Sequence, residues 1–199
     1  MTLPNFAFFE GKIVPYSQAK VGVLNQTLNY GTGAFGGVRA YYNHEEDQLF
    51  LFRPFDHFRR LLNSARLLCM EVPYGVDDLV GITQEVLQAE GQRQDMYVRP
   101  LIYNTDEVIG VRLHDLHPRL SIVSFPFGRY VENDEGAHVT FSSWTRVPDN
   151  AIPARGKITG AYVNSAFIKT DAVRAGFDEA LVLDRDGHVA EGSAENFFM

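Results

Sequence analysis

Cysteine is almost absent from this sequence. Cys69 is the single cysteine among 199 residues, so the chain cannot form an intrachain disulfide. Disulfides persist in oxidising compartments and are rare in the reducing cytoplasm. The cysteine content therefore favours a cytoplasmic protein.

Long apolar segments and secretion signals are also missing. No segment approaches the roughly 20 apolar residues that a membrane-spanning helix requires. The first residues, M-T-L-P-N-F-A-F-F-E-G, lack the positive start and the small-residue cleavage site of a signal peptide. We therefore expect no export signal and no membrane partner.

Positive charge is in the minority and is not clustered. Lys and Arg total 18 against 25 Asp and Glu, which gives a formal net charge of -7. Nucleic-acid surfaces need basic patches, so no nucleic-acid partner is expected. The six histidines show neither H-x-x-x-H spacing nor pairing with cysteine, and no metal site is predicted.

The remaining composition is that of an ordinary globular protein, with 45% hydrophobic and 22% charged residues. Alternating apolar patterns between turn residues predict strands and hairpins. The predicted strands lie in residues 6–14, 37–42 with 48–52, 96–103, 120–127 and 138–144, and a last hairpin turns at 185–187.

Three segments change to the three- and four-residue apolar spacing of helices. The first begins at Pro54, which suits a first helical turn, and the others span about 77–91 and 161–175. Strands and helices in this mixed order predict an α+β fold. The polar residues 131–136 are predicted to link a small N-terminal α+β domain, 1–130, to a second domain that includes 137–199.

Residues 31–36 read G-T-G-A-F-G and match the G-x-G-x-x-G pattern of dinucleotide-binding proteins. That pattern binds pyrophosphate only between a strand and a helix. Here a polar segment precedes it and a predicted strand follows it. A dinucleotide-binding oxidoreductase is therefore the least favoured of the functions considered.

Lys157 follows a loop that contains proline and glycine and precedes a predicted helix. Lysine amines form Schiff bases with carbonyl compounds when their pKa is lowered, although an isolated lysine beside a loop is usually a solvated charge. Tyr162 and a carboxylate from a later hairpin, Glu191 or Glu195, could complete a site for pyridoxal 5'-phosphate (PLP).

Two further groups of residues allow more than one interpretation. Arg59, Arg60 and Arg66 fit the solvated face of an amphipathic helix, although a guanidinium there could instead bind a phosphate through two parallel hydrogen bonds. Tyr97 and Arg99 lie on the same face of a predicted strand, because side chains alternate along strands. Such a pair could anchor a substrate carboxylate beside an aromatic wall.

Several separated motifs resemble the fold-type IV PLP enzymes, and most closely the branched-chain aminotransferases. They are A-R-G-K-I-T-G-A-Y-V-N-S, D-E-A-L-V-L-D, V-A-E-G-S-A-E-N-F-F and Y-V-R-P. The resemblance covers nearly the whole chain. It implies a fold of two α/β lobes, with residues 137–199 as the first part of the large cofactor-binding domain, whose C-terminal part is truncated.

The resemblance also assigns roles to residues. It makes Lys157 catalytic, and it implies that PLP is bound by Arg60, Lys157, Tyr162 and Glu191. The substrate residues that it implies are Tyr30, Phe35, Gly37, Tyr97, Arg99, Val111, Phe127 and Tyr130. Of these, Tyr30 and Val111 would reach the pocket of the neighbouring subunit, and Glu195 would be structural.

The function implied is transamination of branched-chain L-amino acids with 2-oxoglutarate as amino acceptor, in a homodimer or an assembly of dimers. Gly36 stands where branched-chain aminotransferases usually carry glutamate, so R-selective amine transaminase, D-amino acid transaminase and aminodeoxychorismate lyase activities remain alternatives. Residues 196–199 look like a strand that is cut short. This leaves a non-catalytic fragment as an alternative of another class.

Overall fold

The structure is a computed structural model that describes residues 2–128 and 136–199. The chain divides into two compact units. The first runs to residue 128 and also includes 156–159, and the second comprises 129–155 and 160–199. The domain limits predicted from the sequence stay a prediction, because most of the predicted linker, 131–135, lies outside the described residues.

In the first unit, the described residues form an antiparallel sheet and three α-helices. The strands are β1 (Phe6–Phe9), β2 (Lys12–Pro15), β3 (Ala34–Phe35), β4 (Val38–Asn43), β5 (Gln48–Leu51), β6 (Met96–Asn104) and β7 (Pro118–Pro126). The helices are α1 (Gln26–Tyr30), α2 (Pro54–Leu67) and α3 (Val76–Glu90). The strand order is β2-β1-β7-β6-β4-β5, and β3 also pairs with β6.

The alternation of side chains along β6 separates the core from the site. Met96, Val98 and Ile102 are fully buried on one face. Because successive side chains point to opposite faces of a sheet, Tyr97 and Arg99 lie on the other face, where both are half-buried. The sheet thereby places the predicted substrate residues away from the main core.

Helices α2 and α3 supply much of that core. Helix α3 packs against β1 and β7, and α2 packs against α3 and β3. Phe58 and Leu61 of α2 and Leu79 and Val86 of α3 are almost completely buried. Each such side chain contributes about 1.5–3 kcal/mol relative to an exposed one, so the predicted apolar stripes determine how the helices pack.

The short helix α1 was not predicted. Asn25 begins it, because its Oδ1 accepts a hydrogen bond from the Leu28 N–H at 3.0 Å, as N-cap residues do. Gly31 ends it in the left-handed conformation, with φ 66°. The glycine-rich segment thus follows a helix, contains the short strand β3 and precedes strand β4, which is the reverse of a dinucleotide-binding turn.

The second unit contains β8 (Val139–Thr145), α4 (Tyr162–Arg174), β9 (Glu179–Leu183) and β10 (Val189–Glu191). Strand β9 pairs in parallel with β8 and antiparallel with β10. A parallel pair needs a crossover connection, and α4 provides it while packing on β8 and β9. The core beneath α4 is formed by Ile168, Ala172, Ala180 and Val182.

The predicted α+β class is confirmed by these two units. The predicted strand at 196–199 is wrong, because these residues adopt no regular secondary structure. None of the described helices has both the length and the apolar character needed to cross a membrane.

Candidate cofactor and substrate site

Lys157 lies in a segment that other parts of the first unit hold in place. Its backbone N–H donates to Ser64 Oγ at 3.0 Å, and its carbonyl oxygen accepts from the Phe35 N–H at 3.0 Å. Two residues later, Thr159 Oγ1 accepts from the Gly33 N–H at 3.0 Å. The Lys157 backbone is therefore fixed through both of its polar groups.

The ring of Phe35 brings together two cationic side chains. Lys157 Nζ lies 5.1 Å from the ring centroid, and the central guanidinium carbon of Arg99 lies 4.8 Å from it. Cations within about 6 Å of an aromatic centroid are attracted by the ring quadrupole. The first unit thus joins the predicted catalytic lysine to two predicted substrate residues.

Tyr97 continues this cluster toward the end of β7. Its hydroxyl accepts a hydrogen bond from Arg99 Nη2 at 3.1 Å. Its ring lies 5.6 Å from that of Phe125 and 5.4 Å from that of Phe127. Both phenylalanines are only half-buried, so they line a surface of the unit and are not part of its core.

Glycine at position 37 is required by the position of Tyr97. A Cβ atom added at Gly37 would lie 2.1 Å from the Tyr97 hydroxyl oxygen, well inside contact distance. At Gly36 the added atom would meet Pro100 Cγ at 3.0 Å. The two glycines therefore let the chain pass close to the side chains of β6.

Arg60 lies on the exposed side of α2, with His57 one turn before it. Burial, and then the charge of Arg60, lower the pKa of His57, so its ring is neutral near pH 7. His57 Nδ1 lies 3.4 Å from Arg60 Nη2 and can accept a hydrogen bond in the tautomer that leaves this nitrogen unprotonated. His57 therefore restrains Arg60 without adding a competing positive charge.

Tyr30 and Val111 are joined through the loop that precedes β7. The Tyr30 hydroxyl accepts a hydrogen bond from the Gly110 N–H at 3.0 Å. Next to Gly110, Val111 is 90% exposed and Ile109 is 71% exposed. Apolar side chains exposed together mark surfaces that are suited to association.

Tyr162 and Glu191 belong to the second unit. Tyr162 is the first residue of α4, and Glu191 is the last residue of β10. Glu191 Oε1 pairs with Arg146 Nε at 2.5 Å, and Arg146 Nη1 also donates to Ser165 Oγ at 2.9 Å. Arg146 thus connects the end of β10 to the first turns of α4.

A main-chain hydrogen bond closes the loop after Glu191: the Gly192 N–H donates to the Glu195 carbonyl oxygen at 2.8 Å. Nearby, Lys169 Nζ donates to Glu179 Oε2 at 2.8 Å. Burial opposes ionisation of Glu179, but the bonds from Lys169 and from backbone N–H groups lower its pKa to about 2, whereas burial raises the pKa of Glu195.

Three ligand-type side chains also meet in the β9–β10 turn. Asp184, Asp186 and His188 bring oxygen or nitrogen atoms within 4.8 Å of one another. Asp184 Oδ1 already accepts hydrogen bonds from the backbone N–H groups of Asp186 and His188 at 2.9 Å. The turn geometry accounts for this cluster.

The first unit therefore brings together Phe35, Gly37, Tyr97, Arg99, Phe127 and Lys157, which were all predicted as site residues. Tyr130 lies outside the described residues. The sequence reading missed Ser64, His57 and Arg146. Of these, His57 and Ser64 carried a local signal, since they lie within one helical turn of Arg60.

Comparisons with known proteins place this arrangement in a family. The profile of the amino-transferase class IV family matches residues 33–199. A probable branched-chain-amino-acid aminotransferase of Aquifex aeolicus is 47% identical over 195 residues, which are 98% of this chain and 63% of that protein.

Two solved structures are similar as well. The branched-chain aminotransferase of Thermoproteus uzoniensis with norvaline has a TM-score of 0.91 and 37% identity, over 96% of this chain and 63% of its own. The branched-chain amino acid aminotransferase of Thermobaculum terrenum in its PLP form has a TM-score of 0.88 and 32% identity, over 96% of this chain and 62% of its own.

The chain thus spans about 63% of the length of the Aquifex relative. The match to the family profile extends through the Lys157 segment, α4 and the β9–β10 hairpin. The high TM-scores confirm the predicted fold-type IV architecture over the matched part. The profile match, the sequence identity and the structural similarity together show that this chain belongs to the class IV aminotransferase family.

Proposed function

We propose that this protein catalyses PLP-dependent transamination of branched-chain L-amino acids, with 2-oxoglutarate as amino acceptor. The observation that carries the proposal is the grouping of Lys157, Phe35 and Arg99 in one unit. The names of the relatives, which are branched-chain aminotransferases, support the substrate class.

The side chains suit PLP group by group. The Lys157 amine matches the aldehyde, and the exposed guanidinium of Arg60 matches the phosphate, to which it can make two charge-assisted hydrogen bonds. The Tyr162 hydroxyl matches the ring phenolate, and the Glu191 carboxylate matches a protonated pyridine nitrogen. When bound, PLP supplies an electron sink for the pair of electrons left on the substrate Cα.

Lys157 would act twice in this reaction. Its Nζ would hold the cofactor through the aldehyde carbon. When Nζ is not bound to the cofactor, it would take the proton from the substrate Cα as a general base. Hydrogen bonds at the N–H and C=O of Lys157 hold its backbone still, so only the side chain needs to move between these tasks.

Arg99 and its neighbours would recognise the two kinds of substrate. Among the described residues, the buried Nε of Arg99 has no hydrogen-bond partner, and this donor suits the distal carboxylate of glutamate or 2-oxoglutarate. Phe35, Tyr97 and Phe127 present aromatic surface to the aliphatic side chain of leucine, isoleucine or valine. From the sequence resemblance alone, Tyr130 would join them.

We also propose a homodimer in the cytoplasm. Ile109 and Val111 are apolar and exposed beside the half-buried Tyr30, and covering them with a second copy would remove this area from water. Tyr30 and Val111 would then approach the pocket of the partner subunit. The single cysteine is consistent with a reducing compartment.

The visible spectrum of the purified protein tests the proposal. Added PLP is expected to give a yellow band that L-leucine bleaches and 2-oxoglutarate restores, while Lys157→Ala gives no such cycle. D-Alanine and (R)-1-phenylethylamine are tested in parallel, and a response to either in place of leucine would reassign the substrate class. If no band forms with excess PLP, the non-catalytic interpretation replaces this one.

A further inference from the structure

Ser64 connects two residues that the proposed function uses at opposite ends of the cofactor. It lies in α2 and is completely buried. Its Oγ donates to the carbonyl oxygen of Arg60 at 2.9 Å and accepts from the N–H of Lys157 at 3.0 Å. One hydroxyl therefore bridges the helix that carries Arg60 and the segment that carries Lys157.

The bridge requires a hydroxyl group, because the same oxygen donates one hydrogen bond and accepts another. A serine in a helix commonly donates to the carbonyl four residues earlier, and this bond alone would orient the hydroxyl. Because the hydroxyl proton points at the Arg60 carbonyl oxygen, the lone pairs of Oγ are left to accept from the Lys157 N–H. Removing Oγ would leave this partly buried N–H without the Ser64 acceptor, which weakens the hold on the Lys157 backbone.

The residues on either side of Lys157 also pack closely against neighbouring elements. Gly156 contacts the end of α2 so closely that an added Cβ would lie 2.8 Å from Leu67 Cδ1. On the other side, Ile158 forms a bridge with Ala34. The segment is thus held between α2 and β3, and Ser64 is the side chain of α2 that bonds to the Lys157 backbone.

We propose that Ser64 is a positioning residue that sets the spacing between the Arg60 guanidinium and the Lys157 amine, and so between the phosphate and the attachment point of the cofactor. The inference rests on the proposed PLP function. Arg60 and Ser64 are one turn apart on the same helix, and the Ser64 hydroxyl bonds to the Arg60 carbonyl oxygen. A shift of Lys157 relative to Ser64 therefore changes its spacing from Arg60 directly.

The test compares Ser64→Ala with Thr83→Val. Thr83 is an equally buried helix hydroxyl that donates to the carbonyl four residues earlier, Leu79 O, at 2.8 Å, and it lies in α3, away from the site. In the cofactor-free protein, hydrogen exchange is expected to accelerate about tenfold or more at the Lys157 amide in Ser64→Ala and to stay at the wild-type rate in Thr83→Val. Ser64→Cys, which keeps a weak acceptor, should be intermediate and replaces Ser64→Ala if that variant does not fold.

The second arm of the test adds PLP. Ser64→Ala is expected to bind it about tenfold more weakly and to shift the pH midpoint of the visible band, whereas Thr83→Val matches the wild type. If the wild type binds no PLP, the proposed function fails, and the exchange arm still decides whether Ser64 holds Lys157. If the wild type binds PLP and Ser64→Ala behaves like Thr83→Val in both arms, Ser64 is merely structural and the inference is overturned.

Discussion

Arg146 and Glu191 form an ion pair in which Nε lies 2.5 Å from Oε1, with the side chains 19% and 31% exposed. The pair is partly shielded from water, and Arg146 is itself held by Ser165. A guanidinium in this position orients the Glu191 carboxylate. Glu191 is the residue proposed to face the cofactor nitrogen, so Arg146 would hold it in place for that role.

Arg146→Met is expected to lower the free energy of unfolding by about 1–3 kcal/mol, because the partly buried ion pair with Glu191 and its charged hydrogen bond are lost. Denaturant unfolding measures the loss. Arg155→Met is the matched control, because its pair with Asp149 is 66% and 61% exposed and is worth less than about 1 kcal/mol. Equal losses in the two variants would show that the Arg146 pair is no stronger than a surface pair.

Gly37→Ala is expected to displace the Tyr97 hydroxyl and break its hydrogen bond with Arg99, because the new methyl group overlaps that oxygen. We expect kcat/KM for leucine to fall about tenfold or more, a loss of at least about 1.4 kcal/mol in transition-state binding. Steady-state kinetics with leucine and with glutamate measure it.

Gly81→Ala is the control for that substitution. Gly81 lies within α3, and an added Cβ would meet nothing within 4 Å. Alanine there should raise stability by up to about 1 kcal/mol through helix propensity and leave the kinetics unchanged. Unchanged kinetics in Gly37→Ala as well would contradict the role given to Tyr97.

Glu179→Gln is expected to destabilise the protein in a pH-dependent way. Despite its burial, Glu179 has a pKa of about 2 in the folded protein, below the ordinary value of 4.5. A lowered pKa contributes stability that is present above pH 4.5 and is lost as the pH falls toward 2. The difference in unfolding free energy between wild type and variant should therefore shrink over this window in a series of denaturant titrations. A constant difference across it would argue against the Lys169 contact as the cause.

Tyr103→Phe is expected to leave stability unchanged or to raise it by up to about 1 kcal/mol. The Tyr103 hydroxyl is buried and has no hydrogen-bond partner among the described residues, and burial raises its pKa to about 12. Tyr42→Phe is the comparison, because the Tyr42 hydroxyl donates to Asp47 and its removal should not stabilise. Thermal unfolding of both variants measures the effect. A clear loss of stability in Tyr103→Phe would reveal a partner for the hydroxyl.

The elements with strong periodicity were predictable, and the weakly patterned ones were not. The strands within residues 6–14, the helix from Pro54 and the long strands β6 and β7 carry their apolar pattern in contiguous sequence. Helix α1 has five residues, too few to show a helical period, and its capping by Asn25 and Gly31 is visible only once the fold brings their partners close.

The candidate site divides in the same way. Alternation along β6 was enough to place Tyr97 and Arg99 on one face, as the structure has them. The bonds of Ser64 to Lys157 and of Arg146 to Glu191 join residues far apart in sequence, and no local pattern marks which partner each will find. The roles of all the predicted site residues in catalysis and in cofactor and substrate binding stay predictions.

By itself, the sequence determined the α+β class, the main helices and strands, and the family motifs around Lys157, because these depend on local periodicity and on residue types at short spacing. The tertiary structure alone decided that Lys157 Nζ and Arg99 share the ring of Phe35 and that a hydroxyl of α2 holds the Lys157 backbone. Such contacts depend on how strands and helices pack, and packing joins side chains that the chain itself keeps apart.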